Sequence, residues 1–148
     1  MGAEAAVRGE ARSPDQGRTV IDALGLVNRG IQLEPAADAF LRRCRAGAPP
    51  AALAREGLRV CEDYRRLAED LAGLGLASPA AAAAVALFDH HMRLVRVALD
   101  LAYRPQTAEI AVQRERLTGL GPSAGRLVVL RDRLARDAPR DLLDPLAG

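Results

Sequence analysis

The chain has 148 residues and a mass of 15.7 kDa, is 49% hydrophobic and 27% charged, and carries a net charge of +2. That size and balance describe one globular domain able to bury a real core, and exclude a disordered or strongly basic chain. Aromatic content is only 3%, which argues against a base-stacking platform and against a large aromatic-lined pocket.

All 21 basic residues are arginine, interleaved with 19 acidic ones, so the arginine bias reads as a compositional habit rather than an anion-binding signature. The two cysteines, Cys44 and Cys61, form neither a CxxC pair nor a disulfide framework and behave as small apolar residues. The N-terminus lacks the apolar stretch of a secretory signal, and no apolar run approaches the ~20 residues of a membrane span. The expectation is a cytoplasmic protein with no membrane association.

Residues 1–17 are polar and mixed in charge, and read as a mobile N-terminal tail preceding one helical domain over 18–148. From Arg18, Val20, Ile21, Leu24, Val27 and Ile31 predict a short helix, weakened in its second half by Gly25 and Asn28-Arg29-Gly30. Pro35 opens a new helix that points Ala36, Ala37, Phe40, Leu41 and Cys44 inward and ends at Gly47 before Pro49-Pro50. A longer helix follows over about 50–73, with Leu53, Val60, Tyr64, Leu67 and Leu71 on one side. Gly57, Cys61 and Ala68 lie beside them and allow a neighbour to approach closely.

The central element is Pro79–Tyr103, capped by Ser78 and stopped by Pro105. Val85, Phe88, Met92, Val95, Leu99 and Ala102 recur at alternating spacings of three and four. A second row, Ala84, Leu87, His91, Leu94, Ala98 and Leu101, runs beside them. Thr107 opens a further helix carrying Ile110, Ala111, Leu117 and Leu120 inward. A last one, from Pro122-Ser123, carries Leu127, Val128, Leu130 and Leu134, and Leu142, Leu143 and Leu146 give the C-terminal stretch an apolar side. No window alternates with a period of two. The fold class is therefore all-α, a compact bundle of five or six helices around a long central one.

Chemistry-bearing motifs are weak. Asp89-His90-His91 offers adjacent histidines about 100° apart on a helix, with no second ligand three or four residues away, so no metal and no cofactor are expected. His91 lies in an apolar row and reads as a core histidine, His90 as solvent-exposed. Gly119-Leu-Gly-Pro-Ser-Ala124 matches a dinucleotide fingerprint formally but follows a helical segment, not a strand, and reads as one helix end meeting the next start. Leu71-Ala-Gly-Leu-Gly75 and Leu117-Thr-Gly-Leu-Gly121 echo each other as helix-ending connectors. Charged residues four apart, including Glu62–Arg66, Arg65–Glu69, Arg96–Asp100 and Arg133–Asp137, read as solvated ion pairs.

Three functional readings follow. The first is a non-enzymatic interaction and regulatory domain that self-associates or binds a protein partner through Phe88, Met92, Val95 and Leu99, because the double apolar row exceeds the needs of one small core. The second is a sensor or enzyme with a pocket between helices, using His90 or His91 with Tyr64 or Tyr103. The third is nucleic-acid binding through Arg42, Arg43 and Arg45, disfavoured by the prolines of the following turn and by the scarcity of base-reading side chains. In architecture alone, short helices around a long apolar one resemble the effector or dimerisation domains of bacterial one-component transcriptional regulators. No residue roles are carried over from that resemblance.

Overall fold

The computed structural model describes residues 14–138. Within them the chain forms five α-helices and no strand: α1 (Pro14–Arg45), α2 (Pro50–Gly73), α3 (Pro79–Tyr103), α4 (Ala108–Glu115) and α5 (Arg126–Asp137). A 3₁₀ turn, Gly121–Gly125, leads into α5. The all-α bundle around α3 is as the periodicity predicts. The apolar C-terminal positions Leu142, Leu143 and Leu146, and most of the expected N-terminal tail, lie outside the described residues.

Several helix boundaries follow local chemistry. Ser78 Oγ accepts from the Ala81 N–H and Thr107 Oγ1 from the Ile110 N–H, each satisfying an orphan donor of a first turn. Gly47 takes a positive φ of 79°, and Ala48 donates back to the Arg43 carbonyl, closing α1. Gly75 and Gly121, at equivalent places in the two echoed connectors, have φ of 63° and 62°. The likeness stops at that dihedral: Gly75 follows the end of α2, whereas α4 has already ended at Glu115 and Gly121 opens the 3₁₀ turn, so the second connector is a helix start rather than the expected helix end. No strand precedes Gly119, whose φ is also positive.

The N-terminal third departs from expectation. The predicted break at Pro35 is absent, and α1 runs unbroken for 32 residues from Pro14, four residues inside the stretch read as tail. Proline removes one i→i−4 hydrogen bond, but Pro35 is exposed, where water can satisfy the freed carbonyl. Meanwhile Val20, Ala23, Val27, Gly30, Glu34, Ala37, Leu41 and Cys44 continue one row of threes and fours straight through it, and all but the half-buried Glu34 are buried. Burial of that continuous face outweighs the local preference against helix before proline. The fourth predicted helix is shorter than expected, ending at Glu115. Ile110 and Leu120 are buried while Ala111 is exposed.

Helix α3 packs most extensively on α2 and also meets α1, α5 and α4. Of its two apolar rows, the one through His91 is the deeper: Ala84, Leu87, His91, Ala98 and Leu101 are all buried. Neighbours on several sides therefore use the width of its apolar surface within one chain.

The tightest helix approaches rest on glycine. A Cβ on Gly30 would come within 2.7 Å of Phe88 Cζ, and one on Gly57 within 2.8 Å of Phe40 Cζ, with both rings fully buried. Gly25, also within α1, is exposed and has open space where its Cβ would stand. Gly30→Ala is thus expected to destabilise the fold by about 1–3 kcal/mol through overpacking. Gly25→Ala is expected to stabilise it by about 0.5–1 kcal/mol through helix propensity. Urea unfolding of the two variants checks the opposite signs.

Candidate functional site

The structure brings together two of the four residues proposed for a pocket. His91, on the deep row of α3, and Tyr64, on the inner face of α2, stack edge to face with ring centroids 5.4 Å apart, and both are fully buried. Phe88 closes one side, its centroid 6.3 Å from that of Tyr64. The other two are elsewhere. His90 is exposed on the side of α3 that faces α5, and Tyr103 is 57% exposed at the end of α3, where its hydroxyl donates to the Pro50 carbonyl at 3.4 Å.

His91 is held by one hydrogen bond. Ser123, buried in the 3₁₀ turn, donates its hydroxyl to the Leu120 carbonyl at 2.7 Å, so its oxygen accepts from His91 Nε2–H at 3.0 Å. This assigns the neutral tautomer with the proton on Nε2, leaving Nδ1 a lone-pair acceptor with no protein partner. Burial, reinforced by His90 next to it, depresses the imidazole to about 4, in keeping with a neutral ring.

A third polar residue belongs to this region and is missed by the sequence reading. Glu34 occupies an inward position on α1, and its Oε1 is sealed from solvent without a hydrogen-bond partner although the residue as a whole is half-buried. Desolvation raises its carboxyl to about 7. Its charge adds to the effect of burial in pushing the Tyr64 phenol above its usual range, and Tyr64 Oη is likewise unpartnered. The signal that locates Glu34 is the 3–4 register across Pro35. Splitting the helix there hides it.

Tyr64 and His91 are fully buried and uncharged near neutral pH, and the cluster is poor in nucleophilic or ligating power. Among the described residues no group of three histidine, cysteine or acidic side chains is placed to hold a metal ion. Cys44 and Cys61 are free thiols, and burial pushes Cys44 up to about 11.

Two open grooves lie on either side of α3. One, of about 760 Å³, runs between α3 and α5. The other, of about 440 Å³, runs between α2 and α3 and is lined by Leu58, Cys61, Met92 and Leu99 with Tyr103 at its end. Of the four residues expected at an interface, Phe88 and Val95 are enclosed by the chain's own helices, while the half-buried Met92 and Leu99 line this second groove.

The basic segment is partly neutralised. Arg42 pairs with Asp38 at 2.8 Å and Arg43 with Glu56, while Arg45 offers its carbonyl to Arg114. All three stand in the last turn of α1, where cations complement the helix dipole. Of the expected ion-pair ladder, Glu62–Arg66 and Arg65–Glu69 form, at 3.0 and 2.6 Å, whereas Asp100 turns to Arg104 at 3.8 Å. The chain matches no protein-family model, no curated protein and no solved structure.

Glu34 and His91 give the fold opposite pH dependences. Glu34 has its folded pKa raised, so its contribution to stability is full below about 4.5 and is lost as pH rises through about 7. His91 has its folded pKa lowered, so its contribution is present above about 6.5 and is lost as pH falls through about 4. In Glu34→Gln only the first dependence disappears. The stability of the unmodified protein relative to this variant is expected to fall between pH 4.5 and 7 and level off above. Urea unfolding across that range tests it, and a constant difference would mean that Glu34 is not desolvated.

Proposed function

We propose that this chain is a non-enzymatic interaction domain of a regulatory kind, which self-associates through the outer face of α2 and α3. The supporting observation is a two-helix face left without a partner by the chain's own packing. On α2 the positions Leu58, Cys61, Glu62 and Arg65 fall in one line. On α3 Met92, Arg96, Leu99 and Tyr103 do the same, with Asp100 beside them. Leu58 is 62% exposed and Tyr103 57%, and with the half-buried Met92 and Leu99 they line one continuous groove.

The charges on this face favour a second copy over a strongly charged partner. Glu62 and Asp100 balance Arg65 and Arg96. Arg96 has no ion pair among the described residues, although Asp100 lies one turn away. A twofold axis crossing α3 near Ala98 sets Arg96 of each copy opposite Asp100 of the other, as an isologous contact requires. The same operation lays Met92 against the end near Tyr103 and brings Leu99 beside its own counterpart across the axis.

The variants follow from exposure. Leu58→Glu adds a charge to the face without touching the core. It is expected to shift the protein from dimer to monomer in sedimentation velocity while leaving its urea midpoint nearly unchanged. Arg96→Asp is expected to weaken the dimer and Arg96→Asp combined with Asp100→Arg to restore it. A protein that is monomeric at every concentration, or whose dimer ignores Leu58→Glu, overturns the proposal.

A further inference from the structure

We infer that the groove between α3 and α5 is a binding site for an aliphatic carboxylate, a single-chain amphiphile whose acidic head meets arginine and whose chain lies on an apolar floor. The two walls present matching faces. Helix α3 contributes Ala83, Ala86, Leu87 and His90, and α5 contributes Arg126, Val129, Leu130 and Arg133, each set following the i, i+3, i+4, i+7 spacing of one helical side. Leu120 completes the floor. The volume of about 760 Å³ lies in the range of small-molecule sites.

Charge selects the occupant. The groove lining contains two guanidinium groups and one imidazole but no carboxylate. Arg126 and Arg133 are exposed and form no ion pair among the described residues, Arg133 leaving its expected partner Asp137 unused. The hydrogen bond from His91 to Ser123 pins the approach to α5 beside His90, so Arg126 and His90 share one end of the groove. Arg133 stands two turns further on, about 10 Å along the helix. The head therefore belongs at the Arg126–His90 end, where a guanidinium fork offers paired donors to a carboxylate. Leu87 and Leu130 receive the chain. This site is separate from the α2–α3 face, so the failure of either proposal leaves the other standing.

The test is isothermal titration of the full chain with decanoate below its micellar range, with decanol and acetate as the uncharged and chainless controls. One decanoate per chain is expected, with either control at least about tenfold weaker, since head and chain both contribute. Arg126→Gln is expected to weaken decanoate at least about tenfold. Ala86→Trp, at an exposed position on the groove wall, is expected to abolish binding while circular dichroism and the urea midpoint stay unchanged. Unsaturable binding, equal affinity for decanol, equal affinity for acetate, or undiminished binding by both variants each overturns the inference.

Discussion

Two phenylalanine rings seated on two glycines set the geometry of this bundle. With only two phenylalanines and two tyrosines in the chain, aliphatic side chains fill most of the core, and both phenylalanine rings fit where a facing helix offers no side chain at all. Phe88 of α3 lies over Gly30 of α1, and Phe40 of α1 lies over Gly57 of α2, so α3 and α2 are each locked to α1 by the same device. Each contact combines a large burial of ring surface with a backbone approach that any Cβ would obstruct. The glycine at position 30 carries a propensity cost of about 1 kcal/mol in a helix interior, which close packing against the ring offsets.

The buried polar groups are set by these same approaches. Phe88 flanks Tyr64, and Tyr64 meets His91, so the locked helices hold two polar rings in a space where only one protein hydrogen bond, from His91 to Ser123, is made. Leaving Tyr64 Oη and His91 Nδ1 without a protein partner is expensive relative to an apolar core, on the order of 1–3 kcal/mol each. The depressed imidazole and the raised carboxyl of Glu34 express the cost of burial in the proton equilibrium: both groups are driven toward their uncharged forms. A neutral His91 then serves as a donor to Ser123, tying the 3₁₀ turn, and with it the start of α5, to the middle of α3.

Much of the fold is legible in the sequence because α2 and α3 carry local and global signals that agree. Ser78-Pro79 starts α3, Pro105 forces its end, and the apolar spacing between them matches a helix throughout. At Pro35 the two levels conflict. The residue preference says break and the 3–4 register says continue, and tertiary burial decides for the register. Glu34 is lost with that misread boundary, since only a continuous helix places it inward. Burial of His91 follows from its apolar row, but its meeting with Tyr64 is a long-range juxtaposition that no spacing within either helix encodes. Arg133 is obscured for a related reason: the spacing that permits a pair with Asp137 does not oblige the side chains to form one, and exposed pairs of this kind are worth only about 0.3–0.5 kcal/mol.

The triplet His90-His91-Met92 condenses how one helix serves three environments. Successive residues on an α-helix point about 100° apart, so three neighbours in sequence sample most of the circumference. His91 faces the core and Ser123, His90 faces the α5 groove with Arg126, and Met92 faces the α2 groove with Leu58. The same divergence that prevents the two histidines from sharing a metal ion lets them take unlike roles, one neutral and structural, the other open to solvent. Both grooves are therefore bordered by a single rigid helix, whose register is set by Phe88 on Gly30 and by His91 on Ser123. Any movement of α3 that altered one groove would have to break those two contacts, so the outer faces keep a fixed relation to each other for as long as the core stays packed.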